Sequence, residues 1–171
     1  MPEPLNLPLD PVAEARRQWE THGWAGAAQG MAAITSVMRA HQLMQARVDE
    51  VLRPLRLTFA RYELLMLLHF SRTGSLPITK ASRRLQVHPT SVTNAVDRLE
   101  AASLVERQPH PTDGRGILVT ITEAGRALGL TATERLNAEV FTAPGLSARR
   151  VETLVSVLTD LRRGAGDFRA P

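Results

Sequence analysis

Apolar positions along the chain recur mostly at steps of three and four, a spacing that predicts a largely helical protein. Residues 1–9 hold three prolines and no helical period, and read as a mobile arm. Asp10-Pro11 reads as an N-cap followed by proline at the first helical position; Val12, Ala15, Arg16 and Trp19 then share one face up to a stop at Gly23. A long helix is expected over 27–53, ended by Pro54. Met31, Ile34, Met38, His41, Gln45, Val48 and Leu52 form one seam along it, and Val37, Met44 and Val51 widen that seam. At 1.5 Å per residue such a helix reaches about 40 Å, more than a compact core of this size needs, so a second subunit is expected against it.

Thr58 is placed to cap a helix over 59–70, with Tyr62, Leu65, Met66, His69 and Phe70 facing inward. A turn at 71–75 and an extended Pro77-Ile78 lead to a short helix over 79–85, capped by Thr79. Gln86-Val87-His88 forms a break, and Pro89 opens a further helix to about residue 102. Two short helices joined by a tight turn are the helix-turn-helix pattern. Beyond Leu104 the period drops to two, and 104–107 and 117–121 read as the strands of a β-hairpin around a loop dense in turn residues. Helices are expected again over 122–141 and from a Ser147 cap along Val151, Leu154, Val155, Leu158 and Leu161, ended by Gly164 and Gly166.

The order predicts a mainly α fold with a small β-hairpin: a winged helix-turn-helix DNA-binding domain plus a helical dimerisation region. The expected division is a flexible arm at 1–9, N-terminal helices at 10–57, the winged domain at 58–121, C-terminal dimerisation helices at 122–163 and a tail at 164–171.

Composition narrows the chemistry. The 171 residues contain no cysteine, which excludes disulfides, thiolate zinc sites and iron–sulfur clusters. No apolar run approaches about 18 residues and no secretory h-region opens the chain, so a cytoplasmic protein without a membrane partner is expected. The net charge is +4, and Lys80 is the single lysine among 21 basic residues. Arginine's planar fork suits phosphates, carboxylates and guanine edges.

The helix opened by Pro89 carries Thr90, Ser91, Thr93 and Asn94 on or near one face, while Val92, Val96 and Leu99 face a core. Hydroxyls can serve bases or phosphates, and asparagine can pair bidentately with adenine. Arg98, one turn beyond Asn94, is placed for the phosphate backbone. Between the strands, Gly114 and Gly116 flank Arg115, which can enter a minor groove from a narrow tip; Asp113 is placed to orient its guanidinium. The DNA-binding set is therefore Pro89, Thr90, Ser91, Thr93, Asn94, Arg98 and Arg115, with Asp113 behind it.

The stretch 85–125 resembles the MarR family of transcriptional regulators. The resemblance rests on VTNAVDRLEAASLVER at 92–107, Pro111, DGR at 113–115 and VTITEAG at 119–125, and extends over about 27–161. Ser103 stands where the family usually has glycine, which implies a slightly costlier helix end. The resemblance implies a homodimer on a pseudo-palindromic operator, acting as a repressor and released by a small anionic or phenolic molecule. The added first helix with Trp19 is similar to the urate- and aconitate-responsive subgroup, in which a tryptophan on that helix lies near the effector; Glu63 stands where those relatives carry an acidic partner. Arg16, Trp19, Arg39, His41, Arg61 and Glu63 are accordingly the candidate effector contacts, in a cleft between the winged domain and the dimer helices.

Two rivals share the fold. His22, His41, His69, His88 and His110 raise a metal-responsive regulator, although no HxH or HxxxH pair is present and no metal ligand is assigned. A winged-helix module for protein interaction without specific DNA binding explains the fold, but not the arginine-tipped wing. No phosphate-binding glycine loop, GxSxG or HExxH motif appears, so neither enzyme activity nor a cofactor is expected.

Overall fold

A computed structural model describes residues 7–85, 88–110 and 116–168. Helix α1 (Pro11–Thr21) starts where expected, with the Asp10 carboxylate accepting from Val12 N–H at 3.0 Å. Gly23, at φ +86°, turns the chain back onto α2 (Ala25–Leu52), which begins two residues before its expected start. Trp19 and Trp24 meet edge to face across this elbow, 5.3 Å between ring centres. Pro54 tightens the end of α2 into a 3-10 turn, Arg53–Leu55, and Arg56 then takes a left-handed conformation at φ +55°.

Helix α3 (Phe59–His69) is capped by Thr58, whose Oγ1 accepts from Arg61 N–H, and it runs through the middle of the core with Tyr62, Leu64, Leu65, Met66 and Leu68 buried. Phe70, expected inward, is 76% exposed: α3 ends one residue earlier, and Phe70 at the C-cap no longer follows the buried face.

The expected hairpin is present, and a third strand extends it. Strand β1 (Ser75–Pro77) pairs antiparallel with β3 (Ile117–Ile121), which pairs in turn with β2 (Val105–Pro109), giving a three-stranded sheet in the order β1-β3-β2. Three residues are too few to show alternation, and Pro77 is tolerated because β1 is an edge strand. Between β1 and β2 lie α4 (Ile78–Leu85), which starts at Ile78 rather than after a Thr79 cap, and α5 (Pro89–Ala101). Ser103 ends the α5 turn at φ +58°, the conformation that favours glycine.

Helix α6 (Glu123–Leu136) is capped by Thr122, whose hydroxyl accepts from Gly125 N–H at 3.0 Å and donates to Ser103 C=O at 2.9 Å. The expected continuous helix to 141 instead widens into a π-helical turn, Asn137–Phe141. Arg47 on α2 donates to the carbonyls of Glu139 and Ala143 there, at 3.2 and 3.0 Å, and so provides the widened turn with partners. Helix α7 (Ala148–Gly164) follows. Ser147 sits at its N-cap in extended conformation without a side-chain cap bond, and no residue of α7 is buried.

One core joins these pieces. Val48, Val51 and Leu52 of α2 meet the α3 face, Val92, Val96 and Leu99 of α5, Val105 and Val119 of the sheet, and Ala132 and Leu136 of α6. The molecule is thus mainly helical with a small antiparallel sheet, and the underside of α5 is anchored in the centre of the core.

Candidate nucleic-acid interface

Helix α5 divides into two faces. Val92, Val96 and Leu99 are at most 1% exposed, which fixes the helix rotationally. Thr90, Ser91, Thr93, Asn94 and Arg98 lie on its exposed side. The side chains of Ser91, Asn94 and Arg98 have no hydrogen-bond partner among the described residues. All five, expected as DNA contacts, are exposed. Pro89 stands at the first helical position, and His88 supplies the cap: Thr90 N–H donates to its Nδ1 at 3.3 Å. That cap escapes sequence reading, because 86–88 looks like a simple break and histidine is an infrequent N-cap.

The other end of α5 is tied to the wing by Arg107 on β2. Its guanidinium bonds both Asp97 and Glu100 on α5, and its backbone N–H donates to Glu100 Oε1 at 3.2 Å. Partial burial works against the Arg107 charge, but the bonds to Asp97 and Glu100 outweigh it and hold the pKa above the usual arginine value. The wing strands and the exposed face of α5 thereby keep a fixed relative direction. Asp113 and Arg115, expected at the wing tip, lie outside the described residues.

A trough of about 540 Å³ runs between α3 and α5, lined by Thr58, Arg61, Ser91, Asn94 and Arg98. It places Arg61, expected as an effector contact, on the same surface as the exposed side of α5. The remaining effector candidates are dispersed. Arg16 pairs with Glu20 on exposed α1, and Arg39 donates to Gln42 on an exposed stretch of α2. Trp19 packs in the α1–α2 elbow. Glu63 on α3 is half-buried, and that burial raises its pKa. His41 alone of the six lines an apolar cavity of about 450 Å³, between α2, Phe59 of α3, Val140 and Phe141 of the π turn, and Val151 of α7. Within one chain the six do not form one cleft.

Among the described residues no three His, Asp or Glu side chains converge to hold a metal ion. His69 Nδ1 accepts from Arg126, His88 caps α5, and His22 stacks on Trp24. No helix of the described residues is long and apolar enough to cross a membrane.

Comparison with known proteins agrees with this geometry. The model of the MarR family matches residues 57–117. Sco5413, a MarR family transcriptional regulator from Streptomyces coelicolor, is 48% identical over 83% of this chain and 99% of its own, with a TM-score of 0.76. A mutant of Escherichia coli MarR, in a structure with operator DNA, matches 79% of this chain and 96% of its own with a TM-score of 0.71; at 24% identity the likeness is one of fold. The HTH-type transcriptional regulator YhbI of Bacillus subtilis is 35% identical over 81 residues, 47% of this chain and 51% of that protein. The chain spans about half the length of the curated relatives it matches.

Proposed function

The chain belongs to the MarR family of transcriptional regulators, and from that premise we propose that it represses transcription by binding a pseudo-palindromic operator as a homodimer, and that a small anionic molecule releases it. Members of this family are regulators rather than enzymes. The observation that carries the DNA reading is α5: a buried apolar spine presents Ser91, Asn94 and Arg98 outward, with no hydrogen-bond partner for their side chains among the described residues. In this reading the N-terminal turn of α5, from Pro89, enters the major groove. Thr90, Ser91 and Thr93 serve bases or phosphates, Asn94 reads an adenine edge, and Arg98 holds the backbone. Arg115 at the wing tip enters the adjacent minor groove, oriented by Asp113.

The homodimer is supported by apolar surface that one chain leaves bare. Ile34 and Met38 on α2 are 64% and 62% exposed, and Leu161 on α7 is 61% exposed. An isologous pairing of these helices covers that surface. For the effector, the proposed seat is the apolar cavity beside His41, where α2, α3 and the α6–α7 junction meet.

Asn94→Ala tests the DNA reading. It is expected to relax preference at one base step by about 1–3 kcal/mol while leaving other positions unchanged. Equal weakening on every sequence contradicts the base-reading role. A thermal-shift screen of small carboxylates and phenols, repeated with His41→Ala, tests the effector seat: a hit whose shift survives that substitution places the effector elsewhere.

A further inference from the structure

The trough beside the recognition helix continues past α3. A second hollow of about 500 Å³, lined by Asp49, Arg53, Arg56, Leu57, Thr58 and Arg61, shares Thr58 and Arg61 with the first. The two make one path from the α2–α3 junction to Ser91, Asn94 and Arg98. Backbone geometry gathers the cations at its far end. The 3-10 turn brings positions three apart onto one edge, so Arg53 and Arg56 line the same hollow, and the left-handed Arg56 then reverses the chain into α3. Arg53, Arg56 and Arg61 form no ion pair among the described residues. Asp49, the acid in the hollow, accepts from Gln45 at 2.8 Å instead. Arg61 Nε donates to Thr58 Oγ1 at 3.2 Å, leaving the rest of its fork available.

We propose that Arg53, Arg56 and Arg61 form a second duplex-contacting patch that grips backbone phosphates flanking the base pairs faced by α5. This rests on the DNA-binding reading above and reassigns Arg61 from the effector to the duplex. Charge complementarity and continuity with the recognition face select the occupant: arginine forks not engaged by carboxylates, on the same path as Asn94 and Arg98, match a line of phosphates. Such contacts add affinity without sequence preference, and each phosphate neutralised steepens the salt dependence of binding by about 0.9.

The test uses the full chain and a labelled duplex that the wild-type protein enriches from a random-sequence pool. Log affinity is measured against log salt for wild type, Arg53→Ala/Arg56→Ala, Arg53→Lys/Arg56→Lys and the remote control Arg149→Ala/Arg150→Ala, each checked for an unchanged melt. The first pair is expected to flatten the slope by about 3.6 for a dimer carrying two patches, with the enriched sequence unchanged. The lysine pair is expected to keep the wild-type slope, because an ammonium also neutralises a phosphate. The control matches the alanine pair in charge removed and is expected to leave the slope nearly intact. An alanine pair with the wild-type slope, or a control that flattens the slope equally, overturns the proposal. So does an alanine pair that keeps the slope but loses binding of benzoate, which assigns the patch to a small anion. If wild type enriches no duplex at all, the parent reading itself fails.

Discussion

At Glu63 burial and charge are in conflict. The side chain is half-buried on α3 and burial raises its pKa, so the native state binds a proton more tightly than the unfolded chain does. Between the unfolded and folded pKa values stability falls as pH rises, and above both values the penalty is complete. Glu63→Gln removes it. The expected result is a melting temperature raised by about a degree or two at pH 7, because half-exposure keeps the effect well under about 1 kcal/mol. Near pH 4, where the acid is largely protonated in both states, the gain is expected to vanish. A gain of equal size at both pH values shows that the charge of Glu63 is not the cause. At this scale two of the helix caps are legible. Asp10 and Thr58 follow from side-chain chemistry alone, and each forms the expected bond. Phe70 is misread because an apolar periodicity does not show where its helix stops.

Among the elements, α6 has the strictest fit. Gly125 sits in its first turn against the α5–β2 connection, and a Cβ there overlaps the Leu104 carbonyl, a backbone group with little room to yield. This gives the glycine of the TEAG stretch a physical reason: it lets α6 leave β3 close under the wing. Gly125→Ala is expected to cost about 2–3 kcal/mol, read as a lower urea midpoint with an unchanged slope. A loss under about 0.5 kcal/mol means that the contact relaxes. Helix existence and order are readable throughout, because the 3.6-residue period persists over several turns. Strand β1 and the π turn are not. The first is three residues long, and the second depends on Arg47, ninety-two residues before the Glu139 carbonyl it meets. The two faces of α5 are legible because Val92, Val96 and Leu99 recur at helical spacing and polar residues fill the positions between them.

At the scale of the whole molecule, the long α2 and the bare α7 have no account within a single chain. Leu154, Val155, Val157 and Leu161 stay exposed on α7, and Val37, Met38 and Met44 stay exposed on α2. Val155→Glu with Leu161→Glu is expected to yield a monomer by light scattering at micromolar concentration while the far-UV helical signal persists, because the α3–α5 core does not use either residue. A variant that remains dimeric places the interface elsewhere. The proposed effector contacts are the least legible residues. Arg16, Trp19, Arg39, His41, Arg61 and Glu63 lie on α1, α2 and α3 without converging in one chain, and arginine on an exposed helix face carries no signal of what it meets.

The central claim is that two copies of this chain read one duplex with paired α5 helices. Sequencing duplexes enriched by the wild-type protein from a random pool, alongside those enriched by Asn94→Ala, tests it most directly. The expected result is a pseudo-palindromic consensus with half-site centres about one helical turn apart, and the loss of preference at one symmetric pair of positions in the variant. Enrichment of no common sequence, or a consensus identical for both proteins, contradicts it.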